Sequence, residues 1–164
     1  MDHQDTGAVK SRWPLVAVAL LSATLFAISV WIGQWWMVGE VAVGPMGSRH
    51  CFNGDCRPAG LAWLNAGDFW LRCAVATWVG CLVSMVVLLG LAGAYAANRT
   101  PKLIAKSTLT ALATTALAGG YFIAKMPSAG DPQLQQGAYF FIAAIVLGFV
   151  APIRALRSQA LQAR

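Results

Sequence analysis

The sequence gathers its reactive side chains into one short stretch, Ser48-Arg49-His50-Cys51-Phe52-Asn53-Gly54-Asp55-Cys56-Arg57. Asn-Gly is the strongest two-residue signal for a type I′ hairpin turn, because both central positions need positive φ. With Asn53-Gly54 as the turn, Phe52 faces Asp55 and Cys51 faces Cys56 across two strands. The second pair out from such a loop is the non-hydrogen-bonded one, where side chains approach most closely. The spacing therefore predicts a cross-strand Cys51–Cys56 disulfide. It closes a very short loop, so its entropic effect sits at the low end of the usual range and its role is to fix the turn.

Two other chemistries use the same residue types. A structural zinc site prefers Cys-x2-Cys spacing and a second ligand pair elsewhere. His50, Cys51, Asp55 and Cys56 supply neither, so no metal is expected. Disulfide-forming enzymes that pass electrons to quinone need a second cysteine pair as relay. The remaining cysteines, Cys73 and Cys81, are eight residues apart in an apolar segment, a rise of about 12 Å along a helix and too far to bridge. They read as small buried apolar residues. The Cys51–Cys56 spacer is also longer than the reactive Cys-x-x-Cys. The only histidines are His3 and His50, which excludes a bis-histidine haem inside the membrane, and no Ser-His-Asp set can be assembled. No catalytic residue and no cofactor is expected, and the chain reads as non-enzymatic.

The elements that must hold this stretch are helices in lipid. Of 164 residues 58% are apolar and 11% charged; a soluble domain carries about a quarter charged residues. Each membrane span takes roughly 20 apolar residues. Four are expected, over about 14–38, 68–97, 101–125 and 132–153, forming a four-helix membrane domain from 14 to 153. Pro14 fits an opening turn, Asp68 an N-cap, and Thr100-Pro101 and Asp131-Pro132 each a cap followed by proline. Pro152 should end or bend the fourth helix. Residues 39–67 form an outer loop, in which the valines of Met37 to Val43 supply a further strand. The N-terminal apolar run is too long for a cleaved signal and ends in bulky Trp35-Trp36. Most tryptophans, Trp13, Trp31, Trp35, Trp36, Trp63 and Trp70, read as interfacial anchors. Small residues four apart, Gly80 and Ser84, Gly93 and Ala97, Ala111, Thr115 and Gly119, Ala144 and Gly148, predict close helix packing.

Eight of the twelve basic residues (Lys10, Arg12, Arg99, Lys102, Lys106, Arg154, Arg157 and Arg164) fall on the side of the termini and the central connection. The positive-inside rule then makes residues 1–13 a cytoplasmic tail and 154–164 a basic cytoplasmic tail. The net charge of +6 is accounted for by topology and anionic lipid rather than nucleic acid. The middle of every helix lacks ionisable groups, unlike transporters and pumps. Arg72 is the odd charge, about one turn into the second helix, expected to pair with Asp68 or to snorkel to the surface; the alternative is that it organises the loop above it.

The layout resembles the claudin and peripheral-myelin-protein superfamily. Shared elements are four helices, cytoplasmic termini, tryptophans closing the first helix in Trp31-Ile32-Gly33-Gln34-Trp35-Trp36, the pair Cys51 and Cys56, and Arg72 opening the second helix. The family's loop tryptophan before the first cysteine is here replaced by Gly47-Ser48-Arg49-His50. The fold class expected is an all-α integral membrane four-helix bundle with a small disulfide-stapled β-sheet in its first outer loop. The resemblance implies a non-enzymatic protein that works by lateral or cell–cell association or by modulating a larger membrane complex. With catalytic groups absent beside clear packing and staple signals, the expected function is a structural or accessory subunit of a membrane assembly, associating with itself or another membrane protein. Its outer-loop surface would comprise Trp35, Trp36, Arg49, His50, Phe52, Arg57 and Trp63. A homo-oligomeric pore and a quinone-linked thiol–disulfide oxidoreductase are the alternatives. Short loops and tails suggest a bacterial inner membrane.

Overall fold

The computed structural model describes residues 12–52, 55–97, 99, 102–127 and 131–162. The Asn53-Gly54 turn, the Thr100-Pro101 cap, Lys10, Arg164 and nearly all of the N-terminal tail lie outside them. Among the described residues the chain forms α1 (Trp13–Ile32), β1 (Trp36–Val38), β2 (Val41–Gly44), β3 (Gly47–Phe52), β4 (Asp55–Ala59), a 3-10 turn (Ala62–Leu64), α2 (Asp68–Ala96), α3 (Lys102–Ala124), β5 (Gln133–Leu134) and α4 (Gln136–Gln162). All four helices are long and apolar enough to cross a membrane. Outward residues such as Leu117, 76% exposed, and Val75, Val86 and Val146 form an apolar exterior that only lipid accommodates. The chain is a four-span membrane protein.

The first span is shorter than its apolar run. Gly33 takes φ 63° and its N–H bonds Ser29 O, a left-handed cap that costs glycine little. Trp35 and Trp36 therefore leave the helix, and β1 occupies residues expected to be helical up to Val38. Hydropathy alone does not separate a helix end from a buried strand. The fourth span differs at both ends. Asp131-Pro132 opens a strand before α4, because Leu134 and Gln133 pair with Trp36 and Met37. At the other end α4 continues through Pro152 rather than ending near Ile153. There Tyr95 Oη of α2 donates to Ala151 O at 2.9 Å, and Ala151 and Ala155 lie in the buried core. This packing outweighs the proline's local penalty.

The helices meet through small residues and hydroxyls. Ser22 Oγ and Ser29 Oγ of α1 donate to Ala144 O and Gly137 O of α4, both at 2.7 Å. A methyl on Gly148 would come within 2.9 Å of Ser22 Oγ, and one on Gly137 within 2.6 Å of Gln34 O. Gly80 of α2 lies against Thr115 of α3, whose Oγ1 is 3.2 Å from Ser84 Oγ. Gly119 lies under the Phe141 ring. Close backbone approach of this kind replaces hydrophobic driving force within lipid. Gly93 and Ala97, expected among these contacts, are exposed, with nothing near a Gly93 methyl.

The loop after α1 builds an antiparallel sheet in the order β4-β3-β2-β1-β5. One face carries Trp36, Val38, Val41, Val43 and Leu134, which rest on the bundle's core. Gly137→Ala should therefore lower stability by about 1–3 kcal/mol through overpacking. Gly93→Ala should raise it by about 0.5–1 kcal/mol, since alanine is the better helix former. Thermal unfolding in detergent measures both, and shifts of the same sign would contradict this assignment of faces.

Candidate functional site

The stapled sheet begins at Trp35. Its N–H donates to Val43 O at 2.9 Å and its C=O accepts Gln135 N–H at 2.8 Å, while Gln34 O accepts Gly137 N–H at 3.0 Å. One extended turn thus joins β2 to the start of α4. The Trp35 side chain is wholly buried, with Nε1 donating to Ser29 O at 3.2 Å. Its ring lies 4.7 Å from that of Phe141 and 5.8 Å from that of Phe122. Trp70 stacks on Phe122 at 4.5 Å and donates Nε1 to Phe122 O at 3.0 Å. Phe26 completes the group, edge-on to Phe141 at 6.2 Å. Every helix contributes an aromatic ring. Trp35, expected on the interaction surface, is instead the core under the sheet, and Trp70 is likewise no interfacial anchor. Trp31, 90% exposed, and Trp13 do face outward as anchors would. Trp36 is half-buried over the core.

Cys51 and Cys56 are bonded, with Cα atoms 4.1 Å apart, in the register Phe52↔Asp55, Cys51↔Cys56, His50↔Arg57, Arg49↔Pro58, Ser48↔Ala59. So short a Cα separation marks the non-hydrogen-bonded kind of pair. By alternation Cys56 and Pro58 turn their backbone polar groups away from β3. Pro58 thus sits where its missing N–H costs β3 nothing. All five residues of β4 are exposed, and the strand is an outer edge of the sheet.

The predicted residues His50 and Trp63 do come together, rings 5.3 Å apart and edge-on. Ser48, which the sequence reading passed over, joins them. Its buried hydroxyl accepts Trp63 Nε1–H at 2.9 Å, reaches Gly60 O at 3.1 Å and lies 3.3 Å from His50 Nε2. The period-two pattern of a strand, which puts Ser48 on the same face as His50, was the available signal. Arg57 shares that face, while Arg49 lies on the opposite one; both are exposed. The Phe52 side chain lies outside the described residues. Asp68 is the first residue of α2 rather than its cap; the cap is Gly67, without a side-chain bond. Asp68 and Arg72 are exposed and form no ion pair among the described residues. Cys73 and Cys81 are free and buried.

Cys51→Ser should loosen the β3–β4 hairpin while leaving the four helices folded. A lowering of stability of about 2 kcal/mol or less is expected for so short a loop. Hydrogen exchange should quicken at residues 47–59 alone; uniform quickening through α1 to α4 would contradict a local role.

No protein-family model and no curated protein matches this chain. Four apolar helices and a disulfide-stapled antiparallel sheet between the first two are what the chain itself displays.

Proposed function

We propose that this chain is a non-enzymatic accessory or self-associating subunit of a membrane assembly, working through its stapled sheet and outward helix faces. The observation that carries the reading is the free edge of β4. A fully exposed edge strand is a template for pairing with another chain, and the disulfide keeps this one in strand form. Its outward groups are the N–H and C=O of Cys56 and the C=O of Pro58.

Two copies of β4 related by a two-fold axis at Cys56 would exchange both Cys56 hydrogen bonds. They would also place Asp55 directly opposite Arg57 of the other copy, twice. Shifting the axis to Arg57 sets arginine against arginine and meets the missing Pro58 N–H. Charge and proline together favour one register, which is how an edge can be selective rather than sticky. The exposed Gly93 in the last turn of α2 and Ala97, which caps that helix, offer a second contact of the kind used in lipid. The excess of basic residues at the opposite end supports a cytoplasmic placement of both termini and an outer placement of the sheet, and the short connections between helices fit a bacterial inner membrane. The claudin-like layout of helices, tryptophans and cysteine pair agrees with association as the role. The thiol-redox alternative draws no support from Cys73 and Cys81, which are buried free thiols within α2.

In mild detergent the full chain should run as a dimer or larger species. Arg57→Asp should weaken association on the order of tenfold, because two opposite-charge contacts become like-charge ones. The swap Asp55→Arg with Arg57→Asp should restore it. A strict monomer at every concentration, or an Arg57→Asp protein indistinguishable from wild type, would refute pairing through this edge.

A further inference from the structure

We infer that the end of the bundle away from the sheet binds anionic phospholipid headgroups. Arg12 precedes α1, Arg99 lies in the α2–α3 connection, Lys102 opens α3, Lys106 follows one turn later, and Arg154 and Arg157 lie in the last third of α4. The Arg12 guanidinium donates from Nη1 to Arg99 O at 3.0 Å, which ties the start of α1 to the α2–α3 connection and brings their charges together. Lys102 and Lys106, four residues apart, lie on one face of α3 and are both exposed. Every acidic residue among the described ones (Glu40, Asp55, Asp68 and Asp131) is at the sheet end, where Arg49, Arg57, Arg72 and Lys125 balance them. Among the described residues the basic end therefore has no carboxylate to neutralise it, and counting Asp2 and Asp5 of the N-terminal tail still leaves that side an excess of six positive charges.

Depth selects the partner. These six side chains stand where four apolar helices end, which is the plane of the lipid headgroups. Exposed Trp13 and Leu103 adjoin Arg12 and Lys102 and can rest in the acyl boundary beside them. A phosphodiester with a net negative headgroup offers this collar charge and hydrogen-bond acceptors without leaving the bilayer. A zwitterionic headgroup offers the same phosphate beside a cation that the collar repels. The inference does not depend on association through β4.

The test uses the full chain in dodecylmaltoside. Unfolding temperature is followed while dioleoylphosphatidylglycerol, dioleoylphosphatidylcholine or inorganic phosphate is added at matched concentration. Only the phosphatidylglycerol should raise it, and the rise should shrink in high salt. Lys102→Gln with Lys106→Gln, two exposed side chains that make no bond among the described residues, should lower phosphatidylglycerol affinity on the order of tenfold. Arg72→Gln with Lys125→Gln, at the sheet end, should leave that affinity unchanged. Arg12→Gln should weaken it too, but that variant also removes the bond to Arg99 and is read only beside the lysine pair. Equal response to the two lipids overturns the proposal, as does a shift reproduced by inorganic phosphate. Full retention of the preference in the lysine variant overturns it as well.

Discussion

Trp35 leaves the end of α1 and is buried among rings from the other end of α3 and the start of α4, while its backbone bonds β2 on one side and the approach to α4 on the other. A buried aromatic of this size dominates local energetics, and here it is also the point where sheet and bundle become one body. The arrangement needs Gly33, whose positive φ turns the chain out of α1. It also needs Gly44 and Gly137, which let backbone pass directly against Gly33 and Gln34. Without that corner the sheet would have no fixed platform.

The rest of the bundle follows the economy of lipid rather than water. Hydrophobic residues face both ways, so burial alone cannot choose a packing face. The choice falls to small residues and to hydroxyls that find a carbonyl across the interface, as Ser22 and Ser29 do on α4. Tyr95 does the same near the far end, holding α4 beyond Pro152. Each end of the bundle is thus pinned by a polar bond within an apolar surround, where its alternative is an unsatisfied group.

The two ends carry different chemistry. Among the described residues the sheet end is electrically balanced and presents a stapled strand at the edge of the sheet, while the charges of the far end are all basic. On the two roles proposed above, one end meets a protein neighbour and the other the lipid headgroups, with the four helices between.

Composition and hydropathy were enough to read four spans and the asymmetry of charge, because a bilayer allows few alternatives to an apolar helix. Asn53-Gly54 and the cysteine spacing were enough to read the staple, because a two-residue turn fixes register locally. The sequence could not place Trp35, since a tryptophan beside a helix end has the same local signature whether it anchors in the interface or turns inward. Nor could it find β5, two residues whose strand pairing exists only because β1 lies beside them. The pairing of His50 with Trp63 was anticipated only as shared surface, and Ser48 between them was missed, because that junction joins β3 to a turn after β4. Local periodicity and turn chemistry travel with the chain; contacts between segments far apart in sequence were decided by tertiary structure, where burial of one aromatic corner outweighed local preference.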